Sequence, residues 1–184
     1  MQRKDKNQRL IIQYTLKNIN QMKYVIFLSM TFILCLYSCE KEPLESVENI
    51  KVDSVFANEL RSLPDSLIIE NNTLILNTYL WRDYMPVSEK NGSKMYCVNK
   101  LTDINKQPII STISLKKQYI VKDDEVWTAE YMQLKDSPSY ILEGYVNGGP
   151  KWGPNIKVDV ICEFEHLGIT YRIHAKAQQI NKTE

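Results

Sequence analysis

"VDVICEFEHLGITYRIHAK", Val158 to Lys176, decides how the rest of the chain is read. Val158, Val160, Cys162 and Phe164 alternate with Asp159, Ile161, Glu163 and Glu165. Past Gly168, Ile169, Tyr171, Ile173 and Ala175 alternate with Thr170, Arg172, His174 and Lys176. Successive strand side chains point to opposite faces, so a period of two in both arms describes two strands, each turning an apolar row to one core. Opposed residues of an antiparallel pair share a face, so even positions of the first arm must meet odd positions of the second. A four-residue loop, Glu165 to Gly168, satisfies this and puts Gly168 where a positive φ is expected. Phe164 then opposes Ile169 and Cys162 opposes Tyr171. On the outer face Asp159 opposes His174, an exposed pair, with His166 in the loop.

The texture upstream is the same. "LIIE" (67–70), a turn at Asn71-Asn72 and "TLILNTYLW" (73–81) read as strand, turn and strand; "SKMYCV" (93–98) follows an Asn91-Gly92 turn. "QYIV", "KDDE" and "VWTAEY" (118–131) read as a second hairpin. Short strands at this spacing predict an all-β domain over residues 66–184. The expected architecture is an antiparallel β-sandwich of about seven strands, immunoglobulin-like or transthyretin-like.

The chain has 184 residues, 43% hydrophobic and 24% charged, within ordinary globular usage. Residues 1–38 hold six Lys/Arg and one acid, leaving 17 basic and 21 acidic residues after them. A mildly acidic remainder without a Lys/Arg cluster gives little attraction for a phosphate backbone, so nucleic acid is not an expected partner.

Met22-Lys23, an apolar run from Tyr24 to Leu36, and Leu36-Tyr37-Ser38-Cys39 form a short basic start, an apolar core and a small residue before a cysteine. This stretch resembles the signal peptide and lipobox of bacterial lipoproteins. The resemblance implies a diacylglyceryl group on Cys39, cleavage after Ser38, and attachment to the outer membrane through acyl chains. A membrane-spanning helix is the rival reading, but it needs about 20 apolar residues, and acids at Glu40 and Glu42 stop this run first. Either Met1 or Met22 serves as the start, with the same mature product. "CEKEPLE" resembles the short Lys-and-acid tags that send lipoproteins to the surface of some Gram-negative bacteria, so the domain faces either the cell exterior or the periplasm.

Residues 1–38 are thus expected to be upstream extension and signal peptide, and 39–65 a lipid-anchored acidic tether. As a coil, such a tether spans roughly 30 Å. Alternatively Val55, Phe56, Leu60 and Leu63 lie along one side of a short helix begun by Asp53 or Ser54 and stopped before Pro64. "DSV" (53–55) and "DSL" (65–67) resemble Asp-Ser-aliphatic O-glycosylation sites, or are ordinary cap and turn residues.

Candidate chemistry is sparse. Once Cys35 is removed and Cys39 acylated, Cys97 and Cys162 remain, either bridged in an oxidising compartment or as free thiols acting as small hydrophobes. Asp83 in "WRDYM", with Asp123, Asp124 and Glu125 at the second hairpin, is the set of carboxylates an exported hydrolase would use. Arg82 is then the ion-pair partner of a strand acid. The simpler reading of the turn acids is a solvated hairpin tip, and no serine-hydrolase, zinc-protease or phosphate-loop motif is present. No cofactor, metal site or catalytic residue is therefore expected. Trp152, in the Gly- and Pro-rich "NGGPKWGPNI" (147–156), either plugs the core or contacts a ligand. With Tyr79, Trp81 and Trp127 it completes the aromatics that a polysaccharide, peptide or envelope-protein partner would touch. The leading expectation is a non-catalytic binding or accessory module.

Overall fold

The computed structural model describes residues 49–135 and 137–183. Cys39, the expected lipobox and the first part of the expected tether lie outside them. Ten strands follow: β1 (Ile50–Val52), β2 (Ser66–Ile69), β3 (Asn72–Asp83), β4 (Met95–Asp103), β5 (Ile113–Lys122), β6 (Glu125–Glu130), β7 (Gln133–Lys135), β8 (Ile141–Gly149), β9 (Lys157–His166) and β10 (Ile169–Thr183). A single helix, α1 (Ser54–Arg61), lies between β1 and β2. The domain is all-β, as expected.

The architecture differs from the expected sandwich. The strands form one sheet in the order β1-β6-β5-β9-β10-β3-β4-β8-β7, with β2 also on β3. There are ten strands rather than about seven, and one pair is parallel: Ile180 to Thr183 of β10 run beside Leu80 to Asp83 of β3. Earlier in β10 the partner is β9, antiparallel, until the register slips between Ala175 and Gln178. Ala177 has φ +52° at that slip. A bulge of this kind bends the strand and lets it pass from one half of the sheet to the other. The chain turns the opposite corner between Glu130 and Gln133, leaving β6 and entering β7. The curled halves enclose a core in which Leu74, Leu80, Met95 and Leu101 meet Ile120, Val160, Phe164 and Ile173.

Register in the β9–β10 hairpin is shifted from the expected one. Leu167 and Gly168 both have positive φ, +48° and +78°, forming a two-residue turn whose twist matches the strands it joins. His166 therefore opposes Ile169, Phe164 opposes Tyr171 and Cys162 opposes Ile173. The apolar rows still meet, because the shift is by an even number. His166 is a buried ladder residue rather than a loop histidine, 2.8 Å from the Thr112 hydroxyl.

The outer face of β5, β6 and β9 is covered. Asp53 caps α1 by accepting the Phe56 N–H at 2.9 Å, and Ala57 and Leu60 pack on Tyr119, Val121, Val126 and Ile161 as a second core. Residues 49–65, assigned to the tether from sequence, thus include β1 and α1, because Phe56, Ala57 and Leu60 find an apolar sheet face to bury. Arg61 Nε donates to Asp159 at 3.0 Å, and Arg172 reaches Glu59 at 3.9 Å. His174 is 2% exposed; it touches Asp159 diagonally at 3.1 Å while Ile161 is its cross-strand partner. The expected exposed cross-strand pair is therefore a diagonal contact between a buried imidazole and a half-buried carboxylate.

Candidate functional site

The opposite outer face, formed by β3, β4 and β8, has no helix over it among the described residues. Period two puts Tyr79, Trp81 and Asp83 of β3 outward, with Tyr96, Val98 and Lys100 of β4. The register aligns Trp81 with Tyr96, and sets Val98 between Tyr79 and Tyr145 of β8. The rings form a continuous row. Tyr79 and Trp81 have centroids 5.3 Å apart, Trp81 and Tyr96 5.2 Å at 17° between planes, and Tyr96 and Tyr145 6.4 Å at 26°. These are offset-stacking distances, and each such contact contributes about 0.5–1.5 kcal/mol beyond burial. The row therefore arrives preordered, with little rotamer entropy left to lose on binding. Tyr79, at its end, is 51% exposed.

Tyr96 also lines an open cleft of about 500 Å³ whose other walls include Asp83, Ser88, Glu89, Lys94 and Asn147. Arg82 builds this cleft from behind. It is 2% exposed and donates from Nε to Ser93 O at 2.8 Å, from Nη1 to Lys151 O and Trp152 O at 3.0 Å each, and from Nη2 to Asn91 O. The sequence expectation of a strand carboxylate partner for Arg82 is corrected: five donors in a fixed fork suit several carbonyls at once. One cation thereby ties both cleft loops to β3. Lys151 and Glu89 form an ion pair across the rim. That bond and the Lys151 charge hold the Glu89 carboxyl below the usual carboxylate range.

Of the four aromatics singled out from sequence, the structure brings together Tyr79 and Trp81. Trp127 is 3% exposed and belongs to the core, as does Trp152 at 9%. A Cβ on Gly149 would lie 2.9 Å from the Trp127 ring, so the glycine makes room for it. Trp152 plugs the core end, with Lys122 Nζ 5.6 Å above its ring. Neither is a surface contact, because each faces inward from its strand or loop. Tyr96 and Tyr145 were missed. The signal for Tyr96 was the alternation Met95, Tyr96, Cys97, whose middle residue must point away from the core; Tyr145 alternates likewise between Gly144 and Val146.

Asp83 lines the cleft, whereas Asp123, Asp124 and Glu125 are not among its walls. The Asp123 and Asp124 carbonyls instead receive Arg61 Nη2 at 2.5 Å and the Asp53 N–H at 2.9 Å, joining the hairpin tip to α1. Cys97 and Cys162 are free, buried thiols rather than a disulfide. Cys97 Sγ lies 3.4 Å from Asn99 Oδ1, and Asn99 in turn donates to Gln118 at 2.7 Å and to Tyr131 at 2.9 Å. Burial pushes the Cys162 thiol up to about 12 and Cys97 higher, so neither is poised as a nucleophile. Among the described residues no group of three His, Cys, Asp or Glu side chains is arranged for a metal ion, and no helix is long and apolar enough to cross a membrane.

The chain matches no family model, curated protein or solved structure.

Proposed function

We propose that this chain is a lipid-anchored binding module for a polysaccharide, held at the outer membrane by acyl chains on Cys39 and presenting the ring row of β3, β4 and β8 to its ligand. The observation that carries the reading is that Tyr96 belongs both to the row and to the wall of a polar cleft. Sugars offer apolar C–H faces and hydroxyl edges together, and a binding site for them combines aromatic surface with a few fixed polar groups. An unpaired aromatic face also supports the reading by contrast, since the other side of the sheet is sealed by α1. The alternative, hydrolysis by Asp83 with Asp123, Asp124 and Glu125, is weaker: Asp83 lines the cleft, and none of the three hairpin acids is among its walls.

Trp81→Ala tests the reading. The full-length chain, purified in mild detergent, is run in gels containing soluble polysaccharides. Retardation of wild type, and loss of at least tenfold in affinity for the variant, support it, since central aromatic anchors are worth about 2 kcal/mol or more. Unchanged retention in the variant, capture of an envelope protein in place of glycan, or release of reducing sugar overturns it. Intact-mass analysis of the membrane form tests the anchor; an unmodified Cys39 thiol refutes that part.

A further inference from the structure

The cleft beside the row is chemically unlike the row itself. Asp83 is clamped: its N–H donates to Ser93 Oγ at 2.8 Å, and its Oδ1 accepts from the Met85 N–H at 2.9 Å and from Thr183 Oγ1 at 3.3 Å. These bonds fix the carboxylate and occupy one oxygen, while Oδ2 has no bonded partner among the described residues. Other polar groups in the cleft are already committed. Ser88 Oγ donates to Met85 O, Ser93 Oγ to Lys94 O, Glu89 pairs with Lys151, and Lys94 is engaged as well. Asn147 stands exposed at the rim.

Resting on the glycan reading above, we propose that this cleft is a hydroxyl-reading subsite for a neutral glycan, in which Asp83 Oδ2 accepts hydrogen bonds from sugar hydroxyls while Tyr96 packs against the ring. A preorganised carboxylate that must trade its water for ligand hydroxyls discriminates strongly against ligands lacking them. Neutrality follows from charge. Lys151 pairs with Glu89 and the Lys94 charge also acts on it, so Asp83 is the carboxylate left to meet the ligand, and a uronate set against Oδ2 brings like charge and no hydrogen to donate.

The test uses wild type, Asp83→Asn and Trp81→Ala as full-length chains in detergent. Xylan, mannan and mixed-linkage glucan serve as neutral probes and polygalacturonate as the anionic one, read by affinity gels and calorimetry. Wild type is expected to bind at least one neutral polymer and to bind polygalacturonate at least tenfold more weakly. Asp83→Asn is expected to weaken neutral binding about tenfold, the size of one charge-assisted hydrogen bond, without moving the unfolding midpoint, because Asn keeps the Oδ1 acceptor. If the midpoint does fall, Asn147→Ala, which removes an exposed rim side chain bonded to Tyr145, is expected to weaken neutral binding several-fold with the midpoint unmoved, and unchanged binding in it overturns the subsite. Unchanged binding in Asp83→Asn, with binding lost in Trp81→Ala, overturns the subsite and leaves the ring row standing. Preference for polygalacturonate also overturns it. No retention of wild type by any polymer overturns both.

Discussion

Replacing Arg82 by methionine keeps the apolar stem and removes the guanidinium from behind the cleft. Four carbonyls, those of Ser93, Lys151, Trp152 and Asn91, then lose their donor. Bonds from a charged donor contribute about 1.5–3 kcal/mol each, and a buried acceptor left bare costs about 1–3 kcal/mol. Asn91 and Lys151 are exposed and recover water, whereas the Trp152 carbonyl meets Arg82 in a buried contact and Ser93 is half-buried. The variant should therefore lose about 3–5 kcal/mol, a large part of the roughly 5–15 kcal/mol of a typical domain. Urea unfolding measures the loss, with the slope checked for constancy so that the midpoint reports stability. Hydrogen exchange adds a spatial readout: residues 85–94 and 151–153 should lose protection before β9 does. Arg82→Lys should recover little, since an ammonium cannot reproduce the fork. A loss below about 0.5 kcal/mol, or protection unchanged in both loops, refutes the assignment of Arg82 as their common tie.

Acid should destabilise the fold through Asp159 and Glu163. Desolvation raises the Asp159 carboxyl, but the Ala177 N–H, Arg61 and His174 outweigh it and leave it below the ordinary aspartate range. Burial likewise raises Glu163, and Arg172, Tyr119 and Lys117 outweigh it. A depressed folded value means that the stability is present above the unfolded carboxylate range and is lost as pH falls through the folded one. The thermal midpoint should drop below about pH 4, and less steeply in Asp159→Asn; a midpoint flat from pH 5 to 2 rejects this. Cys97 and Cys162 should resist maleimide in the native chain and both label in denaturant without reductant. Peptide mapping that finds them joined rejects the free-thiol state.

The sequence made the all-β class and several hairpins readable because alternation is a local property. Val158 to Phe164 shows it plainly, and its parity constraint survived a shift in register. The shift itself was hidden, since a chain of four loop residues and one of two satisfy the same parity; only the backbone of Leu167 and Gly168 separates them. Ile161, an apolar residue in an otherwise polar row, was the clue that the outer face of β9 is covered. The N-cap at Asp53 and the stop before Pro64 were the matching clue for α1. Trp127 lies beyond such reasoning: β6 is buried on both sides, with Val126 toward the helix and Trp127 toward the inner core. Half of the candidate site, Tyr79 and Trp81, was within reach from β3 alone. Its other half depends on which strands lie beside β3, and pairing between distant segments leaves no local mark.

The parallel seam between β3 and β10 joins residues about a hundred positions apart. Closing so long a loop carries an entropic penalty that contacts within hairpins do not, and such pairings form slowly. The barrel-like enclosure therefore cannot be sealed until Ile180 to Thr183 reach Leu80 to Asp83, which places its closure late in folding.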